Sequence, residues 1–267
     1  MATPATGLTE AVLYDALVNY LVSMARTVES AMNRALDAIV GFDSPRTASL
    51  PGEVFLLEPR INEMEIMIDE HAIRLLRRGA FTDDEMRLIV AALKITNDLE
   101  RIGDIAVSLA ERVISLREMP GAKMPEELMP MAEAVRSMVS RSLGALIFRN
   151  AEMAGQVLES DDIVDQYRDQ LFEKLLHNMT EDAALVSPGM QFVLATRHLE
   201  RIADHATNIA EDIIFWVRGL DVRHGRGLTV RAEQEPQKDT EEHRAGVTEN
   251  SHGLHRDVTP GCETQRV

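Results

Sequence analysis

The chain has 267 residues, of which 45% are hydrophobic and only 4% aromatic, and it carries a formal net charge of −16. That length allows one large domain or two small ones with real cores, and an apolar set dominated by Leu, Ile, Ala and Met favours helices over strands. So acidic a surface repels nucleic-acid phosphate and anionic lipid, which disfavours nucleic-acid binding as the main role.

The N-terminal segment MATPATGLTEAVLYDAL has no basic stretch leading into an apolar run. Nowhere do the roughly 20 successive apolar residues of a membrane span occur. The expectation is a cytoplasmic chain with no direct membrane insertion, able to sit against a membrane protein. The single cysteine, Cys262, cannot make an internal disulfide, which excludes a disulfide-stapled secreted domain.

In chain order, the first predicted helix holds MARTVESAMNRAL from Met24, and the turn-rich GFDSPRTASLPG, Gly41 to Gly52, predicts a loop after it. A second helix carries Glu58, Ile61 and Asn62. Thr82-Asp83-Asp84-Glu85 opens a third, with Thr82 as N-cap and Glu85 completing a capping box. Behind it, apolar residues fall in steps of three and four at Leu88, Ala92, Ile95, Leu99, Ile102, Ala106, Leu109, Val113 and Leu116, a helical core seam. Gly103 costs that helix about 1 kcal/mol relative to Ala and predicts close approach of a neighbouring helix. Pro120, Gly121 and Pro125 break the chain.

The C-terminal half repeats the N-terminal one. Thr96 to Glu111, TNDLERIGDIAVSLAE, and Thr196 to Glu211, TRHLERIADHATNIAE, match at 9 of 16 positions with an offset of 100. At an offset of 103, Glu58, Ile61 and Asn62 align with Asp161, Val164 and Asp165; at 107, MARTVESAMNRAL matches MAEAVRSMVSRSL from Met131 at 6 of 13 positions. The last helix has its own seam at Phe192, Ala195, Leu199, Ile202, Ala206, Ile209, Ile213 and Trp216, with Ala203 in the place of Gly103. Pro188-Gly189 predicts an interruption before it, and Gly219 a C-terminal stop. The fold class is therefore all-α, two tandem homologous three-helix bundles built from six long helices. The predicted bounds are 8–119 and 125–219, followed by a disordered tail over 220–267 that lacks apolar periodicity.

Chemistry concentrates on carboxylates. Glu100 and Asp104, and their repeat equivalents Glu200 and Asp204, are spaced to stack on one helix face. Glu58 with Asn62, and Asp161 with Asp165, have the same spacing on the second helix of each half. If antiparallel helices bring these faces together, each bundle has an oxygen-rich site for a hard cation, with Asn62 making the first less charged. Iron, zinc, manganese and magnesium are not discriminated by this pattern. The alternative is a set of ordinary surface pairs, Asp98 with Arg101 and Arg201 with Asp204. His198 and His205 flank the second pair, either as metal assistants or as surface or satisfied histidines. The tail histidines His224, His243, His252 and His255 are too scattered for a preorganised site. No Gly-rich phosphate loop, nucleophile elbow or helical Glu-x-x-His pair accompanies the acids.

The strings LERIGD from Leu99, LERIADHATNIAE from Leu199, MEIMIDEHAIRLL from Met64 and IIFWVRGLDVRH from Ile213 resemble the signature of the PhoU family, phosphate-specific transport system accessory proteins. The resemblance runs from about Leu13 to His224. It implies a pair of three-helix bundles with acid-x-x-x-acid motifs holding metal clusters, here at Glu58, Asn62, Glu100, Asp104, Asp161, Asp165, Glu200 and Asp204. It further implies a non-enzymatic homodimer at the inner membrane. Such a protein links the ATPase subunit of a phosphate ABC transporter to a phosphate-sensing histidine kinase and represses both at high phosphate. Two rivals stand beside it: a metal-dependent hydrolase of phosphate compounds, and a metal-free helical scaffold.

Overall fold

The computed structural model describes residues 6–77, 79–223 and 228–229. The first bundle consists of α1 (Thr6–Val40), α2 (Leu50–Leu76) and α3 (Asp83–Arg117). The second consists of α4 (Leu128–Phe148), a short α5 (Ala151–Leu158), α6 (Asp161–Glu181) and α7 (Val186–Arg218). Six long helices in two repeated trios match the sequence-derived class. No described helix is long and apolar enough to cross a membrane.

Local chemistry explains the ends. Thr82 Oγ1 accepts from the Glu85 N–H at 3.4 Å and Glu85 Oε2 accepts from the Thr82 N–H at 2.8 Å, the reciprocal box that starts α3. Gly219 stops α7 in the left-handed region, φ +66°, with its N–H on the Phe215 carbonyl at 2.9 Å. Two predicted breaks lie inside helices instead. Leu50, Pro51 and Gly52 form the first turn of α2, and Pro188-Gly189 the first turn of α7. A proline there loses no bond, because first-turn N–H groups have no intrahelical acceptor. Gly189 also lets α6 close in: a Cβ on it would come within 2.8 Å of Met179.

The halves differ in their second element. α2 runs continuously through Pro59, whereas the second copy breaks at Glu159-Ser160, so Asp161 falls in the first turn of α6. Beyond Gly219, Leu220–Asp221 pairs antiparallel with Leu228–Thr229, and Leu220 and Val222 pack on the core. Part of the predicted tail is therefore structured, because its first apolar residues find a surface to cover. Residues 230–267, with Cys262, His243, His252 and His255, lie outside the described residues, as does His224.

The predicted seams are the core. Every seam position named for α3 and α7 is buried. Thr96 and Thr196 occupy equivalent buried places and bond the carbonyls of Ala92 and Phe192, both at 2.8 Å. The most extensive helix–helix contact is α3 against α7, which joins the bundles, and α1 also meets α4. Polar groups cross the α3–α7 seam. Lys94 Nζ donates to Asp212 at 2.9 Å, Asn208 donates to buried Asp98 at 3.3 Å, and His205 Nδ1 lies 2.8 Å from the same Asp98 oxygen.

Candidate functional site

In each half the acidic residues project from the second and third helices. Close approach is set by Gly103: a Cβ there would come within 3.1 Å of the Ile61 Cδ1. Val164 and Ala203, both buried, stand at the equivalent positions of the second half. The carbon missing from the glycine side is carried by isoleucine, and the carbon added by alanine is given up by valine.

On the first face, Glu100 and Asp104 stand together as their spacing predicts. Burial pushes the Glu100 carboxyl up to about 7, reinforced by a hydrogen bond with Asp104 and by its charge, and also by Glu65. Arg101 opposes the rise, reaching Glu100 at 3.5 Å and Asp104 at 3.3 Å with a half-exposed side chain. Glu65 is itself raised by burial and then by Asp69, with Asp104 adding to it. The groups from α2 that act on this face are thus Glu65 and Asp69. Glu58 and Asn62 are half-buried on the same helix, yet Glu58 is not among the groups that set the Glu100 carboxyl. The missed residues had a signal: Glu65-Ile66-Met67-Ile68-Asp69 repeats the acid-x-x-x-acid spacing two turns along.

On the second face all four expected acids are brought into one electrostatic group. Asp161 is raised by burial and then by Asp165 and Asp204. Asp204, although its residue surface is largely exposed, is raised by partial burial and then by Glu200, with Asp165 contributing. One cation lies among them. Arg168 Nη1 donates to Glu200 at 2.6 Å and Asp165 at 2.7 Å, and Nη2 reaches Asp169 at 2.9 Å. At the offset of 103, Arg168 is the repeat equivalent of Glu65. The two faces differ by a reversed charge at one position.

Several surface pairs rearrange. Asp98 bonds His205 and Asn208 across the seam rather than Arg101, and Arg168, not Arg201, answers the second acid group. His205 is thereby a satisfied seam residue. His198 Nδ1 is buried with no hydrogen-bond partner among the described residues, and burial followed by Arg201 and Arg112 lowers its proton affinity.

A hard cation would need several oxygen donors. Among the described residues, no three His, Cys, Asp or Glu side chains stand close enough to hold one ion. The first face nevertheless offers the right donors, partly desolvated and mutually repelling, with only an exposed arginine against them. On the second face a guanidinium already bridges Asp165 and Glu200, two of the four expected donors.

A family model described as the PhoU domain matches residues 21–113 and again 128–213. A phosphate-specific transport system accessory protein PhoU homolog of Pseudomonas aeruginosa is 37% identical over 217 residues, 81% of this chain and 88% of that one. The homolog of the same name from Aquifex aeolicus is 34% identical over 204 residues, covering 76% and 90%. The crystal structure of PhoU from Pseudomonas aeruginosa superimposes with a TM-score of 0.74 at 34% identity, over 78% of this chain and 99% of that one. The Streptococcus pneumoniae phosphate transport regulatory protein PhoU, at 24% identity and a TM-score of 0.71 over 80% of this chain and 99% of that one, shares the fold.

Proposed function

Since the chain belongs to the PhoU family, both halves matching the family model, we propose that it is a regulatory accessory of phosphate uptake. It works as an adaptor without catalysis. One surface meets the ATPase subunit of a phosphate ABC transporter, another meets a phosphate-sensing histidine kinase, and the protein damps both when phosphate is plentiful. The observation that carries this reading is the match of both repeats to relatives named phosphate-specific transport system accessory proteins, across most of the length of each. The protein acts as a homodimer in the cytoplasm, peripheral to the inner membrane through its partners. The described helices, none of which could cross a bilayer, agree with that placement.

The first acidic face serves this role by taking up a divalent or trivalent cation. Glu100 and Asp104 are the donors already side by side; Glu65 moves in to join them when the ion binds, which neutralises their repulsion and ties α2 to α3. Arg168 does that work on the second face with no metal.

The test is capture of the tagged protein from cells grown at high phosphate, with mass spectrometry of what it brings down. Recovery of the transporter ATPase or the kinase is the expected result. Recovery of neither, with normal phosphate repression in a deletion strain, would overturn the adaptor role. Elemental analysis of the native protein and an E100A/D104A variant checks the cation separately: equal metal content removes those carboxylates from the account.

A further inference from the structure

Between α1 and α2 lies an open groove of about 470 Å3, lined by Asn19, Ser23, Arg26 and Ser30 from α1 and by Leu57 and Arg60 from α2. Among the described residues no carboxylate lines it, in a chain with 44 Asp and Glu. Four other surface cavities each take in acidic side chains: Glu126 in one, Asp212 in a second, Glu133 in a third and Asp84 in a fourth. A positive groove with no acid among its described residues runs against the chain's net charge of −16.

Its donors are uncommitted. Arg26 and Arg60 are exposed and have no ion pair or hydrogen bond among the described residues. Arg34, two turns along α1 from Arg26, is by contrast tied to Glu53 at 2.9 Å. The Ser23 hydroxyl and the Asn19 amide have no side-chain partner among the described residues either. Ser30 Oγ accepts from Arg34, which leaves its own proton to donate. The Thr27 hydroxyl, deeper in the wall, is already used on the Ser23 carbonyl at 3.0 Å.

The fold does not require this arrangement. At the equivalent positions of the second repeat, Arg26 becomes Glu133, Ser23 becomes Pro130, Asn19 becomes Glu126 and Arg60 becomes Ile163. The same helices form there without either arginine, so this pair of cations is a feature of the first repeat alone.

We infer that the α1–α2 groove binds a phosphate group, as free orthophosphate or as the phosphoryl group of a small phosphomonoester, clamped between Arg26 and Arg60. A planar guanidinium presents paired N–H donors that match two oxygens of one phosphate, and two guanidinia neutralise a dianion. The Ser23 and Ser30 hydroxyls and the Asn19 amide N–H donate to the remaining oxygens. The groove also favours phosphate over sulfate. Phosphate oxygens, in the free ion and in a monoester, are far more basic than those of sulfate, so they accept stronger hydrogen bonds from the same guanidinium, hydroxyl and amide donors. The apolar wall at Leu57 leaves room for a small organic substituent.

This inference is independent of the adaptor role. Failure to capture partners would leave the groove's binding untouched, and a groove that binds nothing would leave partner capture untouched.

The test is isothermal titration of the full chain, at about physiological ionic strength to screen non-specific attraction. The ligands are orthophosphate, glucose 6-phosphate and sulfate. The expected result is saturable one-site binding of at least one phosphate ligand, with sulfate at least tenfold weaker. R26Q and R60Q should each weaken it about tenfold, while R46Q, outside the groove, leaves it unchanged. Both arginines are exposed and have no partner among the described residues, so the variants keep their helical circular dichroism. Tighter binding of orthophosphate identifies the free ion as ligand, and tighter binding of the sugar phosphate identifies an ester. No saturable binding at millimolar concentrations, equal binding by the R26Q/R60Q double variant, or sulfate as tight as phosphate would each overturn the proposal.

Discussion

Replacing Arg168 by Met removes the guanidinium from the second acidic face while keeping most of the apolar stem. The Glu200 contact, 2.6 Å with both side chains about one-quarter exposed, is a charge-assisted hydrogen bond contributing about 1.5–3 kcal/mol. The Asp165 and Asp169 contacts involve side chains 49% and 68% exposed, so together they add at most about 1 kcal/mol. The variant should lose about 2–3 kcal/mol at neutral pH, a fall in Tm of about 5–10 °C for a domain of this size. Urea denaturation monitored by circular dichroism measures it. Two signatures identify the cause. As pH falls the gap should shrink, because Asp161 and Asp204, whose carboxyls burial raises, take up protons and leave the face less in need of a counter-charge. Millimolar Mn2+ or Mg2+ should restore much of the loss in the variant and change the second bundle of the parent little, since the ion then takes the place the guanidinium vacated. Parent-like stability, or a loss that is the same at pH 4 and pH 7 and deaf to metal, would refute the claim that Arg168 is the face's own cation.

Three other outcomes are expected. The Glu100 carboxyl is raised from 4.5 to about 7 in the folded protein, so the fold holds that proton more tightly than the unfolded chain does. Metal-free protein should therefore lose stability as pH rises through this window, and E100Q should flatten the slope in denaturation series from pH 4.5 to 7.5. G103A gains about 1 kcal/mol of helix propensity but meets the Ile61 Cδ1 at 3.1 Å, an overpacking cost of about 1–3 kcal/mol. The single variant should be neutral or destabilised, and G103A/I61V should recover stability in a double-mutant cycle. H205A leaves buried Asp98 with the 3.3 Å contact from Asn208, and should cost about 1–3 kcal/mol; equal unfolding midpoints for H205A and parent would show that the seam does not depend on this contact.

Much of the fold is legible in residue spacing. The Thr82–Glu85 box, the two apolar seams, the Gly219 stop and the duplicated LERI strings all become the structural features they predict. Gly103 is readable as a point of close approach, though not that Ile61 is what approaches it. Two proline-containing breaks fall a turn away from where the sequence puts them, because a proline that ends one element is equally at home in the first turn of the next. The acid site is half legible. Glu100 with Asp104, and Glu200 with Asp204, follow from position along one helix. Glu65 and Asp69 carry the same local signal, but alignment of the repeats favours Glu58 and Asn62, whose equivalents are both acids.

The sequence by itself determined that the chain is helical, duplicated and acidic on defined helix faces. Periodicity and capping are local properties, set within a few residues of each position. Only the tertiary structure decided which charges meet. The rotation and register of α2 on α3, and of α6 on α7, place Glu65 beside Glu100 and Asp104, and its counterpart Arg168 among Asp165 and Glu200. Across the seam, the same kind of decision joins Asp98 to His205, 107 residues away. Coulomb energy depends on distance in space, and no local pattern carries that distance for groups so far apart along the chain.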